Sequence, residues 1–166
     1  KAMYHSGLVA GTWGNISARI DEDHMVITPS GMDYERLCPE DMVVVDMNTL
    51  EYEGSLKPSI ETVVHSAVYK DRPEVNGIVH THSTYALTVA AARKTIPPIC
   101  DDQVQILGGD VRLAAYTMPG TKEMADEVVH ALKERAGALI ANHGAITVGR
   151  TLAEAYTGSQ VLEKTA

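Results

Sequence analysis

The chain has 166 residues, 45% of them hydrophobic, which is enough for one domain with a buried core and too apolar for a disordered or fibrous protein. A formal charge of −8 excludes nucleic acid and an anionic membrane as main partners, while leaving room for a small anionic substrate held by backbone N–H groups or a metal. The two cysteines, Cys38 and Cys100, imply no disulfide framework, which suits the cytoplasm, and no apolar run is long enough to span a membrane.

In chain order, "KAMYHSGL" reads as the end of a helix closed by Gly7. "HMVITPSG" (24–31) reads as a short strand ending in a turn, and "DMVVVDMNTLEYEG" (41–54) as a strand, a turn and a second strand. From Ser59 the period changes. Ile60, Val63, Val64, Ala67 and Val68 share one helical face, with Ser59 as the N-cap and Glu61 in the first turn. "VNGIVHTH" (75–82) predicts a strand. "STYALTVAAARK" (83–94) predicts a helix capped by Ser83 or Thr84, and "TIPPI" breaks it. A strand (111–116) and a strong helix (120–135) follow, the helix with Thr121 as N-cap and Lys133 and Arg135 in its last turn. "GALIANHGAITVG" (137–149) reads as two strands around a sharp turn at Asn142, His143 and Gly144, and the chain ends in an uncapped helix (151–164). Strands and helices mix without strict βαβ order. The expected fold is therefore α/β, a central mixed, mostly antiparallel sheet covered by helices. A single domain, clipped at both ends, is expected.

On a strand, residues two apart point to the same face, so His80 and His82 present their imidazoles side by side. Zinc favours imidazole nitrogen, and catalytic zinc commonly keeps three protein ligands and an open position. His143, in a tight turn where Gly144 permits close approach, is the third candidate, and Glu61 is the fourth. Each alone has an ordinary reading: a buried histidine, a turn residue, a helix-start carboxylate favouring the dipole. Their combination is what points to a metal. His65, four residues after Glu61, competes as a ligand or supports the site through hydrogen bonds.

Three turns share a different chemistry. "GTWGNIS" (11–17), "TPSG" (28–31) and "KPS" (57–59) combine small residues with hydroxyl or amide side chains. Such turns expose backbone N–H groups that hold anions, and Ser59 at a helix start adds the dipole. Any one of them is an ordinary turn when taken alone.

Together the motifs "GTWGNIS", "TPSGMDY", "KPSIETVVH", "VHTHS", "IPPI" and "NHGAI", in this order, resemble the class II aldolase/adducin family of sugar-phosphate aldolases and 4-epimerases. The resemblance implies a three-layer α/β/α fold and a homotetramer with active sites at subunit contacts. It implies Zn2+ on His80, His82 and His143, with Glu61 as ligand or catalytic base. It also implies a phosphorylated sugar whose phosphate meets Gly14, Asn15, Ser30, Gly31 and Ser59. Cleavage of a short ketose phosphate of the L-fuculose-1-phosphate kind is the expected reaction. The alternatives are a 4-epimerase, which carries Asp in place of Glu61, a decarboxylase or dehydratase, and a non-catalytic adducin-like domain, which lacks the metal histidines. The sequence departs from the aldolase pattern at Ile60, where a second serine is usual, and at Asp101 and Asp102, where a catalytic tyrosine is usual.

Overall fold

A computed structural model describes residues 1–166. Its centre is one seven-stranded sheet. The strands are β1 (Asn15–Arg19), β2 (His24–Ile27), β3 (Val43–Asp46), β4 (Gly77–Thr81), β5 (Arg112–Ala114), β6 (Gly137–Ile140) and β7 (Gly144–Gly149). Their order across the sheet is β3-β2-β1-β4-β7-β6-β5, so β4 is the middle strand. Every neighbouring pair is antiparallel except β5 and β6, which makes the sheet mixed and mostly antiparallel as the sequence predicts.

Helices α2 (Thr62–Asp71) and α5 (Lys122–Leu132) cover one face. Val64, Val68, Met124, Val128 and Leu132 pack there on Met25, Ile27, Ile78, Ile140, Ile146 and Val148 of the strands. The opposite face carries α1 (Ala2–His5), α3 (Thr84–Ala91), α4 (Asp101–Leu107) and α6 (Leu152–Thr165). Its apolar contacts run through Val79, Leu139 and Ala145, the residues that alternate with the first set along their strands. The result is the expected three layers, and no helix is long and apolar enough to cross a membrane.

Several local expectations change. The 41–54 hairpin keeps its first strand, but the second shrinks to one bridge between Val45 and Tyr52. Helix α2 begins at Thr62, so Ser59 does not cap it; Glu61 occupies the N-cap position, and the Ser59 hydroxyl accepts from the Glu61 N–H at 3.3 Å. Ile60 therefore leaves the apolar face and stands 67% exposed. Helix α5 stops at Leu132, which puts Lys133 at the C-cap and Arg135 beyond it. Thr121 caps α5 as predicted, accepting from Met124 N–H.

Two elements were not visible in the pattern. Strand β1 buries its polar residues Asn15 and Ser17 and leaves Ile16 and Ala18 half-buried, the reverse of the usual alternation. Helix α4 is only seven residues long and is closed by Gly108 in the left-handed region.

Candidate metal centre and active site

Strand β4 delivers His80 from the middle of the sheet, and the chain just beyond it delivers His82. His143 sits in the β6–β7 turn, where Asn142 takes φ +55° and Gly144 re-enters the sheet opposite Ile140. A side chain at Gly144 would place its Cβ 2.2 Å from the Thr81 carbonyl oxygen, so only glycine lets this turn close beside the end of β4.

The three imidazoles converge. Nε2 of His80 lies 2.9 Å from Nε2 of His82 and 3.2 Å from Nε2 of His143. Ring centroids are 4.8, 4.9 and 4.9 Å apart with interplanar angles of 72°, 76° and 73°, close to a three-fold arrangement. The Glu61 carboxylate joins them, Oε1 at 2.9 Å from His143 Nε2 and Oε2 at 3.2 Å from His80 Nε2. Asn15 Nδ2 donates to Oε2 at 2.7 Å.

This donor set fits a divalent metal. His80 Nδ1 is hydrogen-bonded to the Ala145 carbonyl at 2.9 Å, which puts a proton on Nδ1 and leaves Nε2 as a lone pair facing the cluster. Ligands about 2.0–2.1 Å from a tetrahedral ion stand about 3.4 Å apart, near the spacing seen here. Burial holds His80 in its neutral form and, with His80 and His143 beside it, pushes His82 down to about 3. Burial raises the Glu61 carboxyl, but His80, His143 and Asn15 outweigh it, and the group lies well below the usual carboxylate range. Three imidazole nitrogens and an ionised carboxylate converging at one point make a donor set that could hold a cation.

The cluster opens on a cavity of about 210 Å³. Gly14, Asn15, Ser30, Gly31, Ser59, Glu61, His82 and His143 all line it, and His80 lies behind them, 1% exposed. A larger depression at the outer edge of the sheet, around His24, Val44, Asp46 and Glu51, collects no comparable ligand set.

The turns are fastened to one another. Ser30 N–H donates to the Lys57 carbonyl at 2.9 Å and Ser59 N–H to the Thr28 carbonyl at 3.1 Å, so these two amides are occupied. The N–H groups of Gly31 and Ile60 make no hydrogen bond within the protein, which leaves them available to an anion beside the Ser30 and Ser59 hydroxyls. Gly14 has φ +78°, and a Cβ there would lie 2.7 Å from the His80 carbonyl oxygen. Its turn is pinned by Tyr34, whose hydroxyl donates to the Gly14 carbonyl at 2.7 Å; burial, with Glu61 nearby, pushes that phenol up to about 12.

Sequence reasoning did not single out Tyr34, Trp13, Thr12 or Ser17, although all four lie in the quoted motifs "TPSGMDY" and "GTWGNIS". Trp13 packs against His82, the rings tilted by 34° with centroids 5.7 Å apart. His65 is not in the ligand cluster; its Nδ1 meets Ser17 Oγ at 2.6 Å. Asp102 pairs with Lys164 at 2.6 Å, and neither Asp101 nor Asp102 lines the cavity.

Fold and site define a metal-dependent lyase of the class II aldolase type, built on a three-layer sheet domain. The model of the Class II Aldolase and Adducin N-terminal domain matches residues 1–166, and the chain belongs to that family. It is 38% identical over 164 residues to the 5-deoxy-D-ribulose 1-phosphate aldolase of Bacillus thuringiensis serovar kurstaki, covering 98% of this chain and 76% of that protein. It is 34% identical over 175 residues to the 3-oxo-tetronate 4-phosphate decarboxylase of Haemophilus influenzae, covering 100% of this chain and 80% of that protein. A solved L-fuculose 1-phosphate aldolase superposes with a TM-score of 0.90 at 33% identity, covering 98% of this chain and 78% of that one.

Proposed function

We propose that the protein is a zinc-dependent aldolase that cleaves a short ketose 1-phosphate into dihydroxyacetone phosphate and an aldehyde. The observation that carries this reading is the meeting of three imidazole Nε2 atoms and the Glu61 carboxylate at the wall of a cavity with free anion donors. His80, His82 and His143 would hold the ion. Bound there, zinc supplies Lewis acidity toward the carbonyl and neighbouring hydroxyl oxygens of a ketose.

The remaining chemistry falls to the chain. The Gly31 and Ile60 amides and the Ser30 and Ser59 hydroxyls take the phosphate, which fixes the sugar in register with the reacting bond. Ile60 lacks a hydroxyl but keeps this amide, so the departure from the aldolase pattern removes one donor of several. Cleavage breaks the bond between the carbon next to the carbonyl and the carbinol carbon beyond it. The carbinol hydroxyl loses its proton to water in the cavity as the aldehyde forms, and Glu61 takes one up from water in exchange. The electron pair stays on the phosphate-bearing half, whose carbon then takes a proton, and Glu61 is the base placed to hold it.

A neighbouring groove of about 460 Å³ shares Trp13, Pro119, His82 and His143 with the first and adds Ala10, Leu87, Tyr116 and Asn142. Its mostly apolar walls suit an aldehyde with a deoxygenated or alkyl end, in line with the 5-deoxy sugar in the name of the Bacillus relative. The homotetrameric state and a cytoplasmic location rest on the family resemblance and on the free thiols Cys38 and Cys100. The same resemblance supports a single domain over 1–166.

The deciding experiment is a screen of zinc-loaded protein against short ketose 1-phosphates, with aldehyde release coupled to a reductase and carbon dioxide trapped in parallel. Aldehyde release from a 5-deoxy ketose 1-phosphate supports the aldolase. Carbon dioxide release from a 3-oxo acid phosphate, without cleavage of any ketose phosphate, would replace it with the decarboxylase reading that the Haemophilus relative raises.

A further inference from the structure

Strand β1 and helix α2 are joined by a ladder of polar side chains. The buried-face residues of β1 are Asn15, Ser17 and Arg19, two apart; those facing them from the start and body of α2 are Glu61, His65 and Tyr69, four apart. On the first rung Asn15 Nδ2 donates to Glu61 Oε2 at 2.7 Å. On the second, Ser17 Oγ lies 2.6 Å from His65 Nδ1 and 2.9 Å from the Tyr69 hydroxyl. On the third, Arg19 donates to the Tyr69 carbonyl at 2.6 Å and lies over its ring at 4.8 Å from the centroid. Asn15, Ser17, Glu61, His65 and Tyr69 are all buried.

Two hydrogen orders make both contacts of the second rung. In one, Tyr69 donates to Ser17, the Ser17 hydrogen goes to His65 Nδ1 and the neutral ring carries its proton on Nε2; in the other, His65 Nδ1–H donates to Ser17, Ser17 donates to Tyr69 and the Tyr69 hydrogen has no acceptor. His65 Nε2 is buried without a partner in the protein, as is Oδ1 of Asn15 on the rung beside it.

We infer that Ser17, His65 and Tyr69 form a positioning relay that locks α2 against β1 and so sets the Glu61 carboxylate at the metal centre, with His65 held as the Nε2–H tautomer. His65 takes no metal in this arrangement, because Nδ1 is occupied, Nε2 carries the proton and the ring lies outside the cluster of His80, His82 and His143. Asn15 and Ser17 are two residues apart on one stiff strand, so the first two rungs move together. Loosening the second rung frees the α2 start and lets Glu61 drift from His80 and His143. The relay rests on the proposed metal site, but its tautomer and rung geometry can be read without turnover.

The test uses the whole chain with and without zinc. Long-range proton–nitrogen correlation spectra of the histidine rings should show His65 protonated on Nε2 and not on Nδ1. Chelator competition should show Ser17→Ala binding zinc about 10–100-fold more weakly, the usual cost of removing a group that supports a metal ligand. Ser17→Thr, which keeps the hydroxyl, should recover most of that loss. In a Glu61→Gln background, Ser17→Ala should change zinc affinity less than about threefold, because the residue it acts through is already altered. An Nδ1-protonated His65 in the unmodified protein overturns the relay, and that spectrum decides even if Ser17→Ala does not fold. Equal weakening in both backgrounds also overturns it, since the serine would then be a general packing residue. Unmodified protein that binds no zinc at all is a separate outcome: it removes the metal centre itself, and the relay's role at Glu61 falls with it.

Discussion

Asn15 on β1 and His80 on β4 stand directly opposite each other across the strand pair, and one oxygen of Glu61 reaches both, 2.7 Å from Asn15 Nδ2 and 3.2 Å from His80 Nε2. The Asn15 amide is thus committed to the carboxylate. Its loss should act on the chemical step and not only on phosphate binding. Asn15→Ala should lower kcat about 10–100-fold, whereas Ser30→Ala should mainly raise KM. Steady-state kinetics of both variants on one ketose phosphate separates the roles, and a pure KM effect for Asn15→Ala would return it to the phosphate pocket.

Glu61→Gln keeps size and a hydrogen-bonding oxygen but removes basicity. The expected fall in kcat is about 10²–10⁴-fold, the span for losing a general base. Exchange of the carbon-bound proton of dihydroxyacetone phosphate with D₂O, followed by NMR, isolates this step from bond cleavage. Near-normal exchange in the zinc-loaded variant would leave Glu61 a structural group only.

Protein purified without chelator should carry close to one equivalent of divalent metal per chain, and His82→Ala should lose most of it. Elemental analysis beside a thermal melt checks this. Full retention of metal by His82→Ala would contradict the cluster of three Nε2 atoms.

Burial pushes His65 from its ordinary value of 6.5 down to about 3. Between those values the unfolded chain binds a proton there and the native chain does not, so stability must fall as pH falls, by up to about 1.4 kcal/mol per pH unit for one such group. His80 and His82, also lowered by burial, add to the same trend in metal-free protein. Glu61 contributes stability that is present above 4.5 and lost below it, so pH 6.5 to 4.5 reports the histidines. Urea unfolding of metal-free protein across that range should show the decline, and His65→Gln should flatten part of it. A flat profile in the unmodified protein would mean that His65 titrates normally.

Gly144→Ala should cost about 1–3 kcal/mol, the range for overpacking, because its Cβ would meet the Thr81 carbonyl oxygen at 2.2 Å. The same shift carries His143 away from its partners, so metal affinity should drop along with the melting temperature. An unchanged zinc affinity would show that the turn and the site are less tightly linked than the contact implies.

Much of this arrangement was legible in the sequence because it depends on short-range pattern. His80 and His82 share a face wherever the chain stays extended over 75–82, and the small and hydroxyl residues of "TPSG" and "KPS" mark turns whatever surrounds them. Strand β1 was hidden because its inward face is polar: Asn15 and Ser17 point to buried partners on α2 that no local rule supplies. The start of α2 moved for a related reason. Ser59 looks like a cap, yet its amide is tied to Thr28 across the turn pair, and the helix waits until Thr62. Tyr34 carries no local signal of its role, because only the fold places its hydroxyl on the Gly14 carbonyl.

The place of β4 in the middle of seven strands has a kinetic consequence. Amides at the centre of a sheet exchange with solvent only when the whole domain opens, whereas edges and loops exchange by local fraying. His80 belongs to that slowest region, while His82 and His143 stand at its rim beside the cavity. The residues that would hold an ion thus sit on backbone of unequal stiffness, with His82 and His143 at the cavity mouth and His80 behind them. Metal exchange would then run far faster than amide exchange at positions 78–80, and its rate would follow chelator concentration without following global stability.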